Sequence, residues 1–412
     1  MLKTVELTKR RFDDYRGQVS DALFDEVRQL AAPLKGARVL QINATDGGGG
    51  VAEILRSTVP LLRDLGLEAE WQVLVPRPGF FTITKMIHNG LQGDPKNLKP
   101  EQWQDYEDYN RQLAGYIDPA KWDFIIIHDP QPAAVLGYVT GRVQCRWVWR
   151  CHIDSHHANP HYRHHLLEYL RPYDGAIYTL EKYVLEGHKP RHLAITPMAI
   201  DPLAAKNQPM DPVVAAAIVR QFGLNPDQPL AVQVSRFDPW KDPLGVIAAW
   251  KLAKRHVPDL QLALVGEQAP DDPEGEVILA QVRQVAQGER NLFIVAGQAD
   301  DRAVQAFQAA ADVVVQKSLR EGFGLTVTEA LWSGTPVVGS DVGGIPLQVI
   351  DGQTGYTTGG IQDTAERLVE LIQNPQLAQA MGQRGRELVR QKFLTPRLLR
   401  DDLRFMVEVG GR

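Results

Sequence analysis

Cysteine is nearly absent from this 412-residue sequence, which has only Cys145 and Cys151. Their spacing fits no zinc or redox pattern, so a disulfide scaffold is excluded and a reducing compartment is expected. No run of 18 apolar residues occurs, and no apolar core follows the charged start Met1, Leu2, Lys3. These absences predict a cytoplasmic chain without a membrane partner. Positive charge is in slight deficit, 45 Lys and Arg against 50 Asp and Glu, a net charge of −5. Such a chain has no global attraction for nucleic acid or anionic lipid, so any phosphate chemistry must come from local sites. Low-complexity tracts, short repeats and a P-loop pattern are also missing.

What is present is ordinary globular stock: 44% hydrophobic and 23% charged residues. At roughly 150 residues per domain, this length predicts two or three domains. Strand-like runs at 37–44, 69–75, 124–128, 146–151 and 175–179 alternate with loops and helix-period segments, of which 51–65 is the clearest. A second series begins after a Pro-dotted polar segment near 201–212. Its strands fall at 230–234, 261–265, 292–296, 313–316 and 335–339, with helices at 243–256 and 363–374. The expected fold class is α/β, two doubly wound parallel-sheet domains of Rossmann-like type, 1–203 and 204–395, followed by a tail at 396–412. Ligands of such sheets sit at the carboxyl ends of strands, which makes a cleft between the domains the expected site.

Four motifs lie at predicted strand ends. The run Asp46, Gly47, Gly48, Gly49, Gly50 follows the first strand and opens a helix, so backbone can approach an anion or sugar closely. It also reads as a dinucleotide fingerprint from Gly47 to Ala52. That reading needs an acid at the end of the second strand, where the sequence is Val75, Pro76, Arg77. A ligand loop, a nicotinamide site and a structural turn all stay open. His128 and His152 each stand at a strand end with an acid close behind, Asp129 and Asp154. Arg236 and Lys241 leave a third strand end together, two cations suited to a departing diphosphate, with surface salt bridging as the plain alternative. Glu321, Gly322, Phe323, Gly324, Leu325 and Thr326 form a glycine loop that leads into a helix carrying Glu329. The N–H groups of Gly324, Leu325 and Thr326 would point at an anion. Glu321 lies outside the helix, so the two glutamates need not face each other, which weakens a glycosidase dyad.

Six of the eleven histidines fall between His152 and His165. The four-residue spacing of His157, His161 and His165 invites a zinc reading, but no carboxylate or cysteine completes a set. The expectation is no metal, and a solvated helix face or acceptor contacts instead.

The Glu321 to Glu329 spacing, the Arg236 and Lys241 pair, the first-strand glycine loop and Gly343-Gly344-Ile345-Pro346 together resemble retaining glycosyltransferases of family 4. Leu347 stands where that pattern often has an acid. The strings around Val51–Leu55, His88–Gly93, His128–Pro132, Trp149–Asp154 and Val234–Lys241 look like the trehalose glycosyltransferring synthases. The resemblance implies the GT-B arrangement, with an acceptor-binding first domain, a nucleotide-sugar-binding second domain and a C-terminal helix returning to the first. It implies transfer of glucose from a nucleoside diphosphate glucose to free glucose, giving α,α-trehalose. Arg236 and Lys241 would neutralise the leaving diphosphate, with backbone around Gly322, Phe323, Gly324, Leu325 and Thr326. Glu321 would hold the transferred glucose and Glu329 the ribose. His152 would sit at the sugar, and Gly48 and Gly49 would line the meeting point of donor and acceptor. Asp46, His88, Asn89, Asp129, Gln131 and Asp154 are the acceptor candidates. No resident cofactor is expected, Mg2+ being allowed only as a diphosphate counter-ion. A homodimer is left open, as is another acceptor such as a sugar phosphate.

Overall fold

A computed structural model describes every residue except 48, 142–143, 267–274 and 412. The chain forms two compact units, Met1–Ala199 with Thr395–Arg412, and Ile200–Leu394. Their division falls slightly before the expected 203/204 boundary, because Ile200 bridges to Leu394 and its N–H donates to the Phe393 carbonyl (2.9 Å) inside the second unit.

The first unit is built on seven strands: β1 (Leu2–Thr4), β2 (Arg38–Asn43), β3 (Glu68–Leu74), β4 (Phe124–His128), β5 (Arg146–Cys151), β6 (Gly175–Tyr178) and β7 (His192–Ile195). They lie in the order β1-β3-β2-β4-β5-β6-β7. All neighbours are parallel except the antiparallel pair β1 and β3. The β-branched run Ile125, Ile126, Ile127 is buried on both faces of the sheet, as a central parallel strand requires. β7 is an edge strand and alternates, exposing Leu193 and Ile195.

The second unit holds β8 (Leu230–Val234), β9 (Gln261–Gly266), β10 (Leu292–Ala296), β11 (Val313–Gln316), β12 (Val337–Ser340) and β13 (Gly355–Thr358). Their order is β10-β9-β8-β11-β12-β13, and every pair is parallel.

These orders fix where chemistry can sit. In each sheet the chain winds outward one way, then returns and winds the other way. The reversal lies between β2 and β4 in one unit and between β8 and β11 in the other. Loops leaving a reversal point diverge and open a crevice at the carboxyl edge, the usual ligand position.

Helix Thr395–Gly410 completes the first unit. Gly175 of β6 lies against it so closely that a Cβ there would stand 2.8 Å from the Phe405 ring. The helix also carries Asp402, whose two oxygens receive Arg150 Nη1 of β5 at 2.8 and 2.9 Å, and both partners are buried. Cys145 and Cys151 are free and buried, and burial pushes the Cys145 thiol up to about 12. Among the described residues, no helix is long and apolar enough to cross a membrane.

Candidate functional site

At the β2/β4 reversal of the first unit, the glycine loop and the His128 strand end come from neighbouring strands, Ile42 pairing with Ile127. Gly49 is the extended residue preceding helix Gly50–Asp64, and nothing would obstruct a side chain there. Gly48 lies outside the described residues. Asp46 sits at the exposed rim, its Oδ2 3.1 Å from Lys3 Nζ, and that partner holds its carboxyl below the ordinary value.

Asp129 has a left-handed backbone, φ 59°, rare outside glycine. Three hydrogen bonds fix it. Its N–H donates to the Arg150 carbonyl at 2.8 Å, and the Asp129 carbonyl accepts Trp149 Nε1–H at 3.0 Å. Its Oδ1 accepts the His152 N–H at 2.8 Å. Burial pushes this carboxyl up to about 7, against the pull of the His152 N–H and Arg150. His152 therefore starts from a locked backbone. Its ring faces that of His128, with Nε2 and Nδ1 3.0 Å apart, and His128 Nε2 lies 2.7 Å from Gln41 Oε1. Burial, then the Arg150 charge, drives both imidazoles well below the ordinary histidine value, so both are neutral.

The remaining candidates of this unit are more dispersed. His88 and Asn89 lie near the end of helix Phe80–Leu91, where Asn89 is buried and its Oδ1 has no hydrogen-bond partner among the described residues. Gln131 Oε1 is likewise buried without a partner among the described residues. Asp154 is buried and accepts the His156 N–H at 3.2 Å.

The histidine-rich helix Pro160–Leu170 needs a correction, since it is not simply a solvated face. Trp103 Nε1–H donates to His161 Nε2 at 2.8 Å, and the His165 ring stacks on the Trp103 indole at 4.1 Å. Both histidines are packing partners of helix Pro100–Ala114, a relation invisible in the local sequence.

At the β8/β11 reversal of the second unit, charges are arranged in pairs. Arg236 Nη2 lies 3.3 Å from Asp238 Oδ2. Lys241 Nζ lies 2.6 Å from Glu321 Oε2, which also accepts Ser318 Oγ–H at 3.0 Å. Lys206 Nζ lies 2.7 Å from Glu329 Oε1, and Lys317 pairs with Asp242. The two glutamates are thus separate, as their spacing suggests, each with its own cation. Lys206 and Lys317 escape sequence reasoning because no motif contains them. Lys317 follows β11 directly, and that position is the one signal it gives.

Local geometry makes Lys241 rigid. Asp238 accepts the Trp240 N–H at 2.7 Å, and Gln233 Nε2 donates to the Lys241 carbonyl at 2.8 Å. Asp242 takes a left-handed conformation, φ 47°, and caps helix Pro243–Ala253 through the Gly245 N–H.

Gly324 caps helix Leu325–Ser333 with φ 86°, turning the first-turn N–H groups of Leu325 and Thr326 toward the loop. Gln348 Nε2 donates to the Phe323 carbonyl at 2.7 Å and holds that part of the loop in place. The double glycine of the Gly343 turn has a steric cause, since a Cβ on Gly343 would stand 1.8 Å from the Glu321 carbonyl. Its φ of 60° adds strain for any side chain. Gly343→Ala is expected to lower stability by more than about 1 kcal/mol, whereas Gly359→Ala, with open space around it, changes little. Equal melting temperatures for the two variants would contradict this packing.

Two parallel-sheet α/β units with polar groups gathered at each reversal are an architecture that GT-B glycosyltransferases share, and two family descriptions that together cover most of the chain identify it as one of them. The sequence matches the family descriptions Trehalose synthase, N-terminal domain, over residues 41–185 and Glycosyl transferases group 1 over residues 215–388. The α,α-trehalose-phosphate synthase (UDP-forming) of Burkholderia xenovorans superposes with a TM-score of 0.73 at 16% identity, over 91% of this chain and 100% of that one, a likeness of fold. Trehalose synthase from Rubrobacter xylanophilus is 45% identical over 100% of both chains. Trehalose synthase from Pyrococcus horikoshii is 37% identical over 98% of this chain and 97% of its own. The chain belongs to the trehalose synthase family and is a hexosyltransferase.

Proposed function

We propose that the chain transfers glucose from UDP- or ADP-glucose to the anomeric hydroxyl of free glucose, reversibly and with retention, giving α,α-trehalose. The carrying observation is the 2.6 Å contact between Lys241 Nζ and Glu321 Oε2 at the β8/β11 reversal. A nucleotide sugar presents its phosphate and its sugar hydroxyls side by side. A cation for the first, touching a carboxylate for the second, matches that junction.

In this reading Arg236 and Lys241 stabilise the leaving diphosphate, joined by the Gly322–Thr326 loop. Glu321 accepts hydrogen bonds from the transferred glucose and Glu329 from the ribose. The acceptor hydroxyl oxygen bonds to the anomeric carbon on the face that the phosphate leaves. The carbon–oxygen bond to phosphate breaks, and the hydroxyl proton passes to a departing phosphate oxygen. No side chain is asked to act as nucleophile, and catalysis rests on orientation and electrostatic stabilisation. His152, Gly48 and Gly49 are assigned to the sugar junction. Asp46, His88, Asn89, Asp129, Gln131 and Asp154 are assigned to the acceptor side. A Mg2+ ion accompanying the diphosphate would be part of the donor, and the reaction as written needs no resident cofactor. Two reduced, buried thiols support a cytoplasmic setting.

Nucleotide release from UDP- and ADP-glucose should be stimulated by glucose and not by glucose 6-phosphate, and the product should be a non-reducing disaccharide. Stimulation by glucose 6-phosphate alone would replace the acceptor assignment, and a product with β configuration at the carbon that comes from the donor would overturn retention.

A further inference from the structure

The proposed reaction leaves a buried polar chain in the first unit unexplained. Gln41 lies on β2, His128 at the end of β4 and His152 just beyond β5, three neighbouring strands at the reversal point. All three side chains are buried, His128 with 1% and His152 with 8% of its surface exposed. A core histidine with no task is normally satisfied at both nitrogens. Here the pairing runs in one direction and stops at an open end. Gln41 Oε1 meets His128 Nε2, His128 Nδ1 meets His152 Nε2, and His152 Nδ1 is buried with no hydrogen-bond partner among the described residues.

With the Gln41 amide oxygen turned toward His128, the hydrogen-bonding rules place the protons. An amide oxygen only accepts, so His128 Nε2 carries a hydrogen and donates it to Gln41. A neutral imidazole carries one ring hydrogen, which leaves His128 Nδ1 bare as an acceptor. His152 Nε2 must then be the donor across the 3.0 Å contact. The same rule leaves His152 Nδ1 with a lone pair and no hydrogen.

We propose that Gln41 and His128 are positioning residues that hold His152 in its Nε2–H tautomer, so that Nδ1 accepts a hydroxyl of the sugar bound at this sheet edge. The proposal rests on the glycosyl-transfer reading above for the identity of the ligand, while the tautomer itself is a property of the free protein. A hydroxyl donates readily to a bare imidazole nitrogen, and a fixed tautomer avoids the cost of re-orienting the chain when the sugar arrives. The backbone supports the same end, because the Asp129 carboxylate grips the His152 N–H and sets the ring's origin.

The test has two parts. Nitrogen-15 NMR of the histidine-labelled full chain, with His152 assigned by its loss in His152→Gln, should show a single Nε2–H tautomer without ligand. Gln41→Leu removes the acceptor that orients the chain, so a population with hydrogen on His152 Nδ1 should appear. In the same variant kcat/KM should fall about 3–10-fold, the worth of one neutral hydrogen bond. The loss should be resolved into KM and kcat with saturating donor and with saturating acceptor. An Nδ1–H form in the wild type overturns the proposal, and that measurement stands even if Gln41→Leu fails to fold. An unchanged tautomer in Gln41→Leu, or a changed tautomer with kcat/KM intact, overturns it as well. A wild-type chain that releases no nucleotide with any sugar acceptor would instead remove the glycosyl-transfer reading and leave the tautomer result standing.

Discussion

Lys241→Ala is expected to lower turnover at least about 100-fold, the scale of losing one preorganised electrostatic donor. The substitution removes the cation from the Glu321 carboxylate, which also accepts the Ser318 Oγ–H. A carboxylate formerly covered by an ammonium would then face the diphosphate, so repulsion adds to the lost attraction. The loop itself should survive. Its shape comes from Asp238, Asp242 and the Gln233 bond to the Lys241 carbonyl, none of which uses the Lys241 side chain. The measurement is steady-state nucleotide release beside a melting curve. Turnover within a few-fold of wild type, in a variant that melts normally, would rule out Lys241 as the leaving-group cation.

Asp402→Ala is expected to have the largest effect on stability, about 3–5 kcal/mol, because it strands a buried guanidinium. Arg150 Nη1 has both Asp402 oxygens as partners, and Nη2 has none among the described residues. Its charge also presses on His128 and His152, which it helps to keep neutral. Hydrogen exchange of the β5 amides reports the loss where it occurs. The double variant Arg150→Met with Asp402→Leu should recover much of it, since a packed apolar pair avoids the desolvation of two ions. A single variant that costs less than about 1 kcal/mol, the range of exposed pairs, would show that water reaches Arg150.

Much of the fold is legible in the sequence because most of its strands are short, mainly apolar runs bounded by polar segments. β4, β5, β8, β10 and β11 fall where those runs predict. The strands that escape notice are β1, β7 and β13, each of three or four residues. Two are too short to show a period, and β13 opens on a glycine. In the site, residues inside motifs are readable, while their partners are not. Nothing near Glu329 announces Lys206, and nothing near His152 announces Gln41. The histidine-rich helix misleads for the same reason, since Trp103 lies on a separate helix. Parallel sheets bring distant strand ends together, so one half of each pair is local pattern and the other half is topology.

Helix Thr395–Gly410 belongs to the first unit, whereas Ile200–Leu394 is uninterrupted. During synthesis, therefore, the unit that comes second in the sequence is the first to have all its parts. The other must wait, with Arg150 unneutralised and the seat of Phe405 beside Gly175 empty, until helix Thr395–Gly410 emerges. The order in which the two halves are encoded is the reverse of the order in which they can be finished.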